Sequence, residues 1–126
     1  MKKPKKQKSK KQKTFDKAWR YFSRYIRRRD KYICFTCGER GNHAGHFKHG
    51  KSNENYFNEK NVHCQCIKCN FFYSGNLAVY LRNMQKKYGV KESDQLLNSG
   101  GKVKRWGIKE LEEIAQRYKK KCENMY

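Results

Sequence analysis

Two CxxC turns, Cys34-Phe-Thr-Cys37 and Cys66-Ile-Lys-Cys69, stand 28 residues apart and supply four thiols. Four thiolates can close a tetrahedron around Zn2+ at ~2.3 Å each, and such a site has no open coordination position. The expectation is therefore a structural zinc ion whose binding contributes directly to folding, with any chemistry lying beside it. Cys64 sits only two residues before Cys66, too near to join the same tight knuckle, and Cys122 falls in a helical stripe; both read as small buried apolar residues. Other polar side chains cluster around the knuckles: His43, His46 and His49 follow the first, while Asn61 precedes the second and Asn70 follows it directly.

The elements that must position these groups belong to a chain of 126 residues, long enough for one domain with a modest core. The formal net charge of +21 points to an extended polyanion as partner, nucleic acid ahead of an anionic membrane surface, because phosphates neutralised by Lys and Arg release condensed counterions. No apolar run approaches the ~18 residues of a membrane span, and the lysine-rich start has no apolar segment behind it. A reducing cytoplasmic setting is expected, in which paired CxxC turns bind metal more often than they form disulfides.

Residues 1–13 carry eight lysines and no acidic residue, which predicts a disordered basic arm; the remainder, 14–126, still carries +13 and is expected to form the folded domain. From Thr14, as a possible cap, the spacing of Phe15, Trp19, Phe22 and Ile26 predicts a helix with a core-facing stripe. Arg20, Arg24, Arg27 and Arg28 share its opposite side and are candidate DNA-backbone contacts, or simply a solvated face. Glycines at 38, 41, 45 and 50 break up residues 32–60 and suit two small strands with loops, His46 on one of them. Further on, the pattern predicts a helix from Asn76 as cap to Gly89 as stop, and a short helical turn over 92–97. In a last helix, Ile108, Leu111, Ile114 or Ala115, Tyr118 and Cys122 form one stripe, which closes the core or meets a second copy in a homodimer.

The order His46, Asn61, Asn70 around two knuckles resembles the HNH endonucleases, whose ββα-metal core sets a nuclease site against a zinc-knuckle scaffold. AGHF (44–47), FNEKNVHCQCIKCN (57–70), SGN (74–76), KYG (87–89) and ELEEI followed by Tyr118 are similar to one branch, the phage NinG or Rap recombination endonucleases that act on branched DNA. The similarity spans roughly residues 14–122.

The resemblance implies an α+β fold, a small zinc-stabilised ββα-metal core flanked by helices, in a phage protein working in the host cytoplasm. It also implies a metal-dependent endonuclease that hydrolyses DNA phosphodiesters at Holliday junctions or other branches. Such hydrolysis needs a base for the attacking water and a cation for the charge on phosphate and leaving oxygen. His46 is then the general base, Asn70 places its amide oxygen on Mg2+ or Mn2+, and Asn61 steadies the loop that orients His46. His43 stands where NinG-like sequences have an aspartate, and an imidazole there shifts the expected metal preference towards Mn2+. His49 is a candidate phosphate contact and His63 a packing residue. The rival reading is a zinc-stabilised nucleic-acid-binding module without catalysis.

Overall fold

Helix formation starts earlier than Thr14. In the computed structural model, which describes residues 6–125, α1 runs Lys10–Arg29, and Ser9 caps it by accepting a 3.1 Å hydrogen bond from the Gln12 amide. Thr14 instead donates its hydroxyl to the Lys10 carbonyl, one turn back inside the helix. The boundary of the basic arm accordingly moves from Lys13 to Ser9, and residues 1–5 of that arm lie outside the described residues. Lysine and glutamine are good helix formers, and Asp16 fixes the first turns by accepting from both Lys8 and Gln12.

Of the expected stripe of α1, Phe15, Phe22 and Ile26 are buried, together with Ala18, and meet α4, Ile108–Glu123, through Leu111, Ile114, Ala115, Tyr118 and Cys122, whereas Trp19 is only partly buried and faces His46. Phe22 and Tyr118 meet edge to face at 4.7 Å, and burying a side chain such as Phe22 stabilises by roughly 2–3 kcal/mol. The stripe on α4 is therefore consumed within the chain, which removes it as a dimer contact; only Ile108 at its start is exposed.

Between these helices lies a two-stranded antiparallel sheet, β1 His43–His46 and β2 Val62–Gln65. The sequence placed two strands within 32–60, but only β1 is there. The first knuckle closes on a single bridge between Ile33 and Arg40, and the rest of the segment is turns. Directly opposed residues share a face, so the register His46↔Val62 and Ala44↔Cys64 sets one face towards α1, and His43↔Gln65 and Gly45↔His63 sets the other towards the second half of the chain. All four β2 residues are buried because both faces are covered.

β2 leads into a π-helical turn, Lys68–Phe72, and then α2, Leu77–Tyr88. Asn76 precedes α2 as expected, but it takes a left-handed conformation (φ 51°) and its side chain makes no cap. The amide turns back to Cys69 Sγ, 3.6 Å away. Gly89, at φ 90°, ends α2 where a side chain would be strained, and α3, Val90–Leu97, begins two residues before the expected turn. Phe47, Tyr80, Met84 and Leu96 form a second small core. Among the described residues no helix is long and apolar enough to cross a membrane.

Candidate functional site

The four knuckle sulfurs converge. Sγ atoms of Cys34, Cys37, Cys66 and Cys69 all lie within 4.8 Å of one another, and Cys37 to Cys66 is 3.6 Å. A disulfide would need about 2.05 Å, whereas zinc with ~2.3 Å bonds sets sulfurs at roughly 3.8 Å. The donor set and spacing therefore fit one tetrahedral metal ion such as zinc, held by two loops that the fold brings together. Hydrogen bonds surround the sulfurs: Thr36 Oγ1 lies 3.2 Å from Cys34, the Cys69 amide donates to Cys66, and Asn76 donates to Cys69. Burial opposes ionisation of Cys34, but Thr36 and nearby backbone amides outweigh it and draw the thiol down to about 6. Cys64 and Cys122 are buried outside the cluster, as their spacing indicated.

Asn70 follows Cys69 in the π-helical turn, and its side-chain Nδ2 lies 3.2 Å from His43 Nδ1. Its Oδ1 lies over Gly45, on the same face of β1 as His43. The two residues expected to hold the catalytic cation are thus brought side by side.

His46 points the other way. Its ring stacks on Trp19 of α1 at 4.9 Å and 19°, packs against Tyr56 at 4.3 Å, and is 8 % exposed. Nε2 lies 3.0 Å from the Tyr56 carbonyl oxygen. A carbonyl only accepts, so the proton sits on Nε2 and the lone pair on Nδ1, which has no hydrogen-bond partner among the described residues. Burial lowers the pKa to about 4, partly offset by that carbonyl, and keeps the ring neutral at pH 7. No hydrogen bond joins His46 to Asn70: His46 lies on one face of the hairpin, and Asn70 lies with His43 on the other.

Asn61 lies in the loop between His46 and β2 with all its side-chain bonds made to backbone. Fully buried, it accepts from the Lys48 amide through Oδ1 and donates through Nδ2 to the carbonyls of Lys48 and Asn55. This clamps the chain just after His46 to the segment carrying Tyr56. His49 is exposed three residues beyond the end of β1, its ring 6.2 Å from that of His46. His63 is fully buried against Phe35, as a packing residue should be.

The arginine face of α1 is less open than its charge suggested. Arg20 is exposed, and both it and Arg24 lie over the Tyr21 ring, whereas Arg27 donates to Asn42 and Arg28 reaches the Cys122 carbonyl on α4. Sequence reasoning passed over Arg29 and Asp30, which lock α1 to β2: Arg29 donates to Asp30 and to the carbonyls of Glu59 and Val62, and Asp30 accepts the Cys64 amide. It also passed over Gln65, whose buried Nε2 donates to Thr36 and to the Gly75 carbonyl, tying both knuckles to β2. The alternation of β2 would have placed Gln65 beside His63, facing the knuckles.

The fold and site together define a small, strongly basic α+β protein built around four clustered cysteines that could bind a metal ion such as zinc. The family model for the bacteriophage lambda NinG protein matches residues 1–126, the whole chain. The chain belongs to the NinG family. It is 32% identical over 106 residues to the ninG protein of Escherichia phage lambda and 31% identical over 106 residues to that of Salmonella phage P22, matches that cover 80% of this chain and 52% of each relative. Escherichia phage 933W has a further ninG protein, 30% identical over the same length and with the same coverage. The chain spans about half the length of these relatives. No solved structure matches it.

Proposed function

We propose that the chain is a metal-dependent endonuclease of the HNH, ββα-metal kind, hydrolysing DNA phosphodiester bonds at branched or junction DNA. The observation that carries this reading is the hydrogen bond between His46 Nε2 and the Tyr56 carbonyl. It fixes the tautomer and leaves Nδ1 as a neutral base, the state needed to take a proton from an attacking water. A phosphodiester bound beside the ring raises its proton affinity above the depressed value of the free protein.

Mg2+ or Mn2+ would supply charge stabilisation at the phosphate and the leaving oxygen. Asn70, through Oδ1, and His43, through Nδ1 once its 3.2 Å hydrogen bond from Asn70 Nδ2 opens, are the residues that would hold it, and a nitrogen donor in this pair favours Mn2+. Asn61 ties the backbone just after His46 to the segment carrying Tyr56, so the base does not drift from its place. The net charge of +21 supplies affinity for the phosphate backbone largely independent of base sequence.

The test incubates purified zinc-loaded protein with a labelled four-way junction and with linear duplex, with Mg2+, with Mn2+ and with neither. Cleavage of the junction that depends on the added metal, and that a folded His46→Ala variant lacks, is the expected result. Binding without cleavage under every condition, or equal cleavage by that variant, rejects the reading and leaves a non-catalytic DNA-binding module.

A further inference from the structure

The segment leaving the candidate site carries the least expected surface in the molecule. Ile67 is 55 % exposed, Phe71 70 %, Phe72 68 % and Tyr73 57 %, and none of them belongs to a core cluster. A contiguous exposed apolar patch of this kind marks an interaction site rather than chance. It is also rigidly mounted: Cys69 is buried in the four-thiolate cluster, the Asn70 amide donates to the Cys66 carbonyl, the Tyr73 amide to that of Lys68, and the Gly75 amide to that of Cys69. Phe71 and Phe72 stand nearly perpendicular, with ring centroids 5.3 Å apart, so the ridge presents one ring by its face and the other by its edge.

We propose that Phe71 and Phe72, flanked by Ile67 and Tyr73, form a wedge that stacks on unpaired or unstacked bases at a DNA branch. This rests on the reading of the chain as a branch-directed DNA endonuclease and assigns the structural selectivity to a surface outside the cleaving residues. Charge selects the occupant. Lys68 lies within the ridge segment, which has no Asp or Glu, and the chain as a whole carries +21, so a polyanion is drawn to the protein while a second copy of so basic a chain is repelled. Flat rings next to such a surface fit nucleobases, which stack on aromatic side chains whatever their sequence and which apolar wedges unstack at weak steps. A branch point offers bases already freed from part of their stacking. Position completes the argument, because Phe71 adjoins Asn70 and a wedge there seats the branch beside the residues proposed to hold the cation.

The experiment compares full-length zinc-loaded wild type with a Phe71→Ala/Phe72→Ala variant, without added Mg2+ or Mn2+ so that nothing is cut. The ligands are linear duplex and a splayed fork carrying 2-aminopurine at the branch. Wild type should bind the fork more tightly than the duplex and change the 2-aminopurine fluorescence. The variant should lose roughly 5- to 150-fold in fork affinity, the equivalent of about one base stack, lose the fluorescence change, and bind duplex within twofold of wild type. Both rings are exposed, so an unchanged melting profile is expected.

Equal fork binding and an equal fluorescence change by the variant would overturn the wedge while leaving the DNA reading intact. Binding of neither DNA by wild type would overturn both. Sedimentation of both proteins adds a third arm: a wild-type dimer that the variant converts to monomer, with fork preference retained, makes the ridge a subunit contact and overturns the wedge.

Discussion

Asn70 Nδ2 lies 3.2 Å from His43 Nδ1, joining the residue after the last knuckle cysteine to the first residue of β1. The pair faces away from His46, so its loss should be separable from loss of the base. His43→Ala or Asn70→Ala should weaken Mn2+ binding roughly tenfold or more while zinc content stays at that of wild type. Titration of the Mn2+ electron paramagnetic resonance signal measures this directly. His43→Asp should instead favour Mg2+ relative to Mn2+ in junction cleavage. An unaltered Mn2+ titration in both alanine variants would exclude this pair as the cation site.

The four sulfurs and the two spare cysteines make a contrasting set. Cys66→Ser should reduce bound zinc, abolish the cooperative melt and cost DNA binding, because metal binding in so small a domain is folding free energy. Cys64→Ser, two positions away but outside the cluster, should keep full zinc content with a lower melting temperature. Elemental analysis together with circular dichroism decides between them, and normal zinc in folded Cys66→Ser would mean that the metal is held elsewhere.

Much of this arrangement is legible in the sequence because its signals are local. CxxC spacing names the ligands, and 3.6-residue periodicity marks the buried faces of α1 and α4. Where the reading went astray, a long-range partner decided the outcome. Asn76 has the composition of a helix cap, yet its amide serves the Cys69 sulfur, a choice set by the metal knuckle and invisible to capping rules. β2 alternates apolar and polar residues, Val62-His63-Cys64-Gln65, but the run is only four residues long, and its polar members are buried because the second half of the chain covers their face. The site shows the same division. His46 and Asn70 stand out by type and order, but strand parity sends His43 and His46 to opposite faces of β1, and Asn70 pairs with His43.

Two buried histidines set the acid limit of stability. Burial draws His46 down to about 4 and His63 to about 3, against about 6.5 in an unfolded chain. The Tyr80 hydroxyl donates to the Gly45 carbonyl, so neutral His63 donates from Nδ1 to Tyr80 and accepts at Nε2 from Tyr88. Below pH 6.5 the unfolded chain binds protons that the folded one refuses. The stabilisation is therefore complete above that pH and lost as pH falls towards 4 and 3, at about 1.4 kcal/mol per pH unit for each histidine. Urea unfolding between pH 7 and 5 should show this slope, and His63→Gln should be less stable at pH 7 but flatter with pH. An identical slope in that variant would remove His63 from the account.

Gly45 is the position where the fold and the candidate cation site depend on the same atom being absent. A Cβ there would collide with Gln65 Oε1 and lie 2.9 Å from Asn70 Oδ1, so any other residue forces one or both of these side chains to shift. Gln65 cannot easily yield, since its Nε2 is bound to Thr36 and to the Gly75 carbonyl, while Oε1 is buried without a hydrogen-bond partner among the described residues. Asn70 is the freer of the two side chains and should move. Gly45→Ala is therefore expected to keep zinc and fold with reduced stability, by roughly 1–3 kcal/mol as for other overpacked sites, and to lose most Mn2+ binding. Shortening Gln65 in a Gly45→Ala/Gln65→Ala double variant relieves the harder collision and should recover part of the Mn2+ affinity, a coupling that two independent sites would not show. Additive losses in the double variant would place Gln65 outside the support of Asn70, and full Mn2+ affinity in Gly45→Ala would show that the closeness of Gly45 to Asn70 has no bearing on the cation.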